Sequence, residues 1–152
     1  MIQSFLETIT ILTSNSSAIS FMTDDVRTRR ANCCGWLQHE QGSPLYKILE
    51  GGLYDISFNV NVTSATVGVV AFGLYEDGIL IPGSTVIATI TTPGDYVNLS
   101  FRKLKKICCK GDATITVQSV PSVLTGATLL GTPTDTEIPI IQNANVLIDK
   151  EA

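Results

Sequence analysis

The sequence predicts an all-β fold: an antiparallel β-sandwich of jelly-roll type, formed by one domain over residues 1–152. Three observations carry this. Thr, Val and Ile make up 46 of the 152 residues, and β-branched side chains favour strands because their χ1 freedom is already restricted. About nine short apolar or alternating runs are separated by Gly, Pro, Asn and Asp, the spacing of a sandwich. No stretch carries apolar residues at the helical period of about 3.6.

The N-terminal third is the least regular. Phe5–Leu12 and Ala18–Met22 read as strands. Residues 24–30 carry five charged side chains in seven positions and read as an exposed loop, with Trp36 and Leu37 as its anchors to the core. Leu45–Leu49 is a short strand. The clearest strand is Leu53–Val62: Tyr54, Ile56, Phe58, Val60 and Val62 alternate with Asp55, Ser57, Asn59 and Asn61. That period of two predicts one buried and one wet face.

The run from Thr66 to Tyr75 is almost wholly apolar, so both its faces are expected to be covered, inside a sandwich or at a subunit contact. It ends at Asp77-Gly78, a strong hairpin signal because both central turn residues need positive φ. Ile79–Ile81 returns beside it, and Pro82-Gly83 closes that piece. Thr85–Thr91, Asp95–Leu104 and Ala113–Val117 are further strands, the last two alternating and separated by a turn at Lys110-Gly111-Asp112. Ser119–Asn143 contains Pro121, Pro133 and Pro139 and reads as a loop-rich segment, with Asn145–Asp149 as a closing strand.

Mean hydropathy is +0.27 with only 16% charged residues. The longest apolar run, Val67–Tyr75, has nine residues, far short of the roughly 20 of a spanning helix. The excess apolar surface is therefore assigned to another protein chain and not to a membrane. A net charge of −4 argues against a general nucleic-acid binder. The charge is uneven: Arg102, Lys103, Lys105, Lys106 and Lys110 are half of all Lys and Arg. This segment reads as an edge strand protected by lysines, or as a patch for an acidic partner.

The cysteines form two adjacent pairs, Cys33-Cys34 and Cys108-Cys109. A bond within either pair needs strained geometry, so reduced structural thiols are the favoured reading; cross-pairing and metal binding remain alternatives. Zinc prefers separated ligands, and only His39 could join the thiols. With one histidine, no nucleophile elbow and no phosphate-binding glycine loop, neither an enzyme nor a bound cofactor is expected. Asn15, Asn61 and Asn98 each begin a glycosylation pattern, read as chance because two lie in predicted strands. Residues 1–20 have Glu7 as their only charged side chain and no basic leader region, so synthesis in the cytoplasm without signal-peptide export is expected.

Four stretches carry a resemblance. Residues 52–60, Gly-Leu-Tyr-Asp-Ile-Ser-Phe-Asn-Val, resemble the Gly-x-Tyr-x-Ile-x-Phe-x-Val strand of the tumour necrosis factor-like and complement-type globular head superfamily. Residues 71–79 resemble its next hairpin, residues 110–117 its Gly-Asp-x-Ile-x-Leu strand, and residues 144–150 the closing strand of bacterial members such as spore-surface glycoprotein heads. The resemblance implies a jelly roll packed as a homotrimer, with Tyr54, Ile56, Phe58, Val60, Phe72, Leu74, Ile115 and Val117 in the trimer interface or core.

The collagen-like stalk of bacterial members is missing, and Cys108-Cys109 replaces the usual aliphatic residue before Gly-Asp. A stalkless, leaderless jelly roll fits a bacteriophage structural protein. The expectation is a virion component on the capsid surface, either a decoration protein or a small fibre head, with the major capsid protein or another virion protein as partner. Residues 1–12 and the basic strand would dock it. The alternative is a head that recognises a surface glycan or receptor through Trp36, Tyr46 or Tyr96.

Overall fold

The computed structural model describes residues 1–27, 35–108, 113–124 and 133–151. Among them every regular element is a strand, and every pairing is antiparallel. In chain order the strands are β1 (Ile2–Leu6), β2 (Thr10–Ile11), β3 (Thr23–Arg27), β4 (Leu37–His39), β5 (Tyr46–Ile48), β6 (Gly52–Ser64) and β7 (Gly68–Glu76). They continue with β8 (Ile79–Leu80), β9 (Val86–Ile90), β10 (Val97–Ile107), β11 (Ala113–Ser119), β12 (Ser122–Leu124), β13 (Pro133–Asp135) and β14 (Pro139–Lys150). One sheet runs β10-β6-β14-β1-β3, with β2 also on β14; the other runs β4-β5-β11-β7-β8, with β9 also on β7. A small β12-β13 ribbon lies apart from both.

The two sheets face each other through the alternation visible in β6. Tyr54, Ile56, Phe58, Val60 and Val62 are all buried. Phe58 is the central contact: its ring lies 5.8 Å from Phe72 on the facing sheet and 5.4 Å from Phe101 on β10. Ile115, Val117, Leu74, Ile141, Val146 and Ile148 complete the core. Each such side chain contributes about 1.5–3 kcal/mol by leaving water.

Strand β7 is covered on both faces, but by its own chain. Phe72 and Leu74 enter the main core, while Ala71 packs with Val120 and Val123 in a second cluster, with Val69, Tyr75 and Leu80 against it. Glu137 N–H donates to the Val69 carbonyl, and the Thr136 hydroxyl to the Val120 carbonyl. Gly73 fits this arrangement: a Cβ there would stand 2.6 Å from Leu80 Cδ1 and 3.2 Å from Val120 Cγ2. No subunit contact is needed to explain the second apolar face.

The β7–β8 hairpin turns at Asp77 (φ 50°) and Gly78 (φ 81°), as the Asp-Gly pair predicts. Asp77 Oδ1 also accepts from Thr114 N and Thr114 Oγ1, tying the turn to β11.

Several expectations are corrected. Residues 18–22 form no strand; Ala18 makes only a single bridge to Gln118. Residues 24–27, expected as part of an exposed charged loop, belong to β3, paired with β1. The closing strand begins at Pro139, well before Asn145, and spans 12 residues. A register shift against β6 falls between Ile141 and Asn143, where the apolar start of the strand gives way to polar residues. Within residues 1–12, β1 lies between β14 and β3, and β2 pairs with β14.

Candidate interaction surfaces

The eight residues expected in a trimer interface or core are all core. Tyr54, Ile56, Phe58, Val60, Phe72, Leu74, Ile115 and Val117 each expose 2% or less of their surface. None can contact a second chain without unfolding. What a second chain can reach is the other side of the same strands.

That outward face is ordered in rows across β14, β6 and β10. Asn143, Asn61 and Asn98 stand side by side, and the next row is Asn145, Asn59 and Ser100. Then come Leu147, Ser57 and Arg102, followed by Asp149, Asp55 and Leu104. The amides are linked: Asn61 Nδ2 donates to Asn143 Oδ1 at 2.8 Å, and Asn98 Nδ2 to Asn61 Oδ1 at 2.9 Å and Asn59 Oδ1 at 3.1 Å. Phe5 stands beside Asn145, and Gln3 beside Leu147. The two asparagine rows carry no charge. The sequence marked these positions only as wet; their common parity on three strands was the available signal, and register alone turns it into a surface.

The basic segment lies on β10, the last strand of its sheet. Its cations divide between two directions, because successive side chains point to opposite faces. Arg102 forms a fork on Asp55, with Nε 2.9 Å from both carboxylate oxygens. That hydrogen bond first, and the charge of Asp55 second, hold the guanidinium above its ordinary range. Lys105 bridges the sheets to Glu76 at 2.7 Å. Lys103 is half-buried with its ammonium over the Gly83 turn, and Lys106 is exposed. Lys110 lies outside the described residues. The contiguous basic patch expected from sequence is thus partly spent on internal ion pairs.

The other candidate residues fall as follows. Tyr46 is fully buried, Trp36 leans on Tyr54 with rings 5.4 Å apart, and Tyr96 is half-buried. They form no exposed aromatic platform. Asn15 donates through Nδ2 to the Pro121 and Thr136 carbonyls, so its amide holds loops together. Cys108 is an exposed free thiol, while Cys33, Cys34 and Cys109 lie outside the described residues. Among the described residues no group of three or more His, Cys, Asp or Glu could hold a metal ion.

The single histidine, His39, sits between Asp24 Oδ1, 2.7 Å from Nδ1, and the Ser43 carbonyl, 2.9 Å from Nε2. Ser4 bonds to Asp24 and not to the ring. Both ring nitrogens are therefore occupied by groups that are not nucleophiles.

No protein-family model matches the chain, and no curated protein matches it either. Solved structures do. The globular domain of zebrafish complement 1qA protein superposes with a TM-score of 0.53 at 11% identity, covering 96% of this chain and 94% of that one. Murine APRIL at pH 5.0 gives 0.52 at 14% identity, covering 95% and 97%; its pH 8.0 structure gives 0.52 at 11%, covering 95% of each. Identities this low speak to the fold alone. The chain folds as an antiparallel jelly roll, the fold it shares with these structures.

Proposed function

We propose that this chain is a non-enzymatic structural protein of a bacteriophage virion, a jelly roll that packs as a homotrimer and sits on the capsid as a decoration protein or small fibre head. The observation that supports it is the uncharged asparagine face of the β10-β6-β14 sheet. Each copy carries a net charge of −4, so copies meet with least repulsion where the surface is neutral. Paired amides leave further donors and acceptors for a facing copy. Lys106, exposed on β10, offers the contact to an acidic capsid protein. On this reading the protein is made in the host cytoplasm and resides on the capsid surface, with no nucleic acid or membrane as partner. Co-sedimentation with capsids of the encoding virus tests it; a protein left wholly in the supernatant at low salt would contradict docking.

The exposed amides also favour a second reading, a head that binds a surface glycan or receptor. A glycan array with uniformly negative results would remove the glycan arm of it.

A further inference from the structure

We propose that the outer edge of β10, from Arg102 to Lys106, takes up an extended segment of a partner protein as an added β-strand, with acidic side chains on one face of that segment and aliphatic side chains on the other. The inference rests on the proposed use of β10 for docking and gives that contact its chemistry. β10 has 11 residues and is the last strand of its sheet. It pairs with β6 along its whole length, and among the described residues no strand pairs with its other side. The edge strands β3, β4, β8 and β9 have five residues or fewer. An open ladder as long as that of β10 is a template for another chain.

The register shows which backbone groups face outward. In an antiparallel strand the N–H and carbonyl of one residue point to the same neighbour, and successive residues alternate. The Glu151 N–H donates to the Leu53 carbonyl, so Leu53, and with it Asp55 and Ser57, turn their backbone to β14. Tyr54, Ile56 and Phe58 then turn theirs to β10, where they meet Lys105, Lys103 and Phe101. Arg102, Leu104 and Lys106 are left with an N–H and a carbonyl each directed at the open edge, and all three residues are exposed. Asn98 and Ser100 share this direction but belong to the rows proposed to meet another copy.

Charge selects the occupant. Asp55 answers Arg102, and Glu76 answers Lys105. Lys103 and Lys106 form no ion pair among the described residues, so the edge attracts carboxylates. A second copy of β10, paired antiparallel about Leu104, would set Arg102 against Lys106 and Lys103 against Lys105, and like charges directly opposite are destabilising. Side chains of an added strand alternate between two faces. Those on the outward face meet Lys106. Those on the other point towards a cleft of about 260 Å³ walled by Ile79, Leu80 and Pro82, with Lys105 on its β10 side. Ile79 is 74% exposed there, and an aliphatic side chain laid against it would remove apolar surface from water.

The probe is a capped peptide of alternating Glu and Val, added to the full chain and followed by NMR hydrogen exchange. When it binds, the amides of Arg102, Leu104 and Lys106 should exchange at least about tenfold more slowly, while those of Lys103 and Lys105, already turned to β6, stay unchanged. The same peptide with Lys in place of Glu, or with every amide N-methylated, should protect none of them. Lys106→Glu, at an exposed position, should weaken binding of the Glu-Val peptide about tenfold. Absence of protection by the Glu-Val peptide would overturn the proposal. So would equal binding of the Lys peptide or of the N-methylated one, and the latter comparison needs no variant to fold. Co-sedimentation with capsids in the absence of peptide binding would refute strand addition and leave docking standing; peptide binding without co-sedimentation would refute the capsid reading alone.

Discussion

Tyr54 shows how a single polar atom is placed in an apolar interior. Its ring is fully buried, and its hydroxyl donates to the Glu50 carbonyl. Burial first, and the nearby Glu50 carboxylate second, push the phenol up from 10.0 to about 12. The folded state thus holds a proton that the unfolded chain releases above 10.0. The stability this provides is complete below pH 10.0 and is lost as pH rises towards about 12. Tyr54→Phe should flatten that alkaline decline in a pH series of thermal melts, and should cost about 1 kcal/mol near neutrality for the lost hydrogen bond. Phe58→Ala, at the centre of the three-phenylalanine contact, should cost about 3–5 kcal/mol in denaturant unfolding. Both residues were legible in the sequence, because strict alternation fixes which face is buried. Asp24 was not. Its charged surroundings suggest solvent, and its burial depends on His39, 15 residues away, and Ser4, 20 residues away.

At the scale of elements, local chemistry predicts what local chemistry causes. The β7–β8 turn follows from Asp77-Gly78 and the residue conformations that the turn requires. Gly78→Ala forces a side chain into a φ of 81° and should cost about 1–2 kcal/mol, read as a lower denaturant midpoint with an unchanged slope. The lysines of β10 were readable as edge protection, and β10 is an edge strand. The extent of β14 was not readable. Pro139 lacks a backbone donor and suggests a break, yet it starts the strand, a position that tolerates proline. The polar residues Gln142 and Asn143 hide the strand's continuity because a register shift falls among them. β1 and β3 were obscured for a related reason: each is short, and their place depends on β14, which is more than 100 residues distant in sequence.

For the whole molecule, the apolar composition that suggested a partner chain is largely used internally. The outer face of β7 is sealed by Leu80, Val120 and Val123, and all eight residues expected at an interface or in the core lie in the core. On the proposed reading, copies associate through register-built polar rows that a linear reading cannot assemble. Replacing Asn59 and Asn145 together by Lys places two charges in adjacent positions of that face. The variant should remain folded by circular dichroism and should shift to a smaller species. The most direct test is the solution mass of the unaltered chain, by light scattering on a sizing column with reductant, over about a hundred-fold dilution so that mass action can reveal dissociation. The account predicts a stable species near three times the 16.3 kDa chain mass; a monomer at every concentration would contradict it.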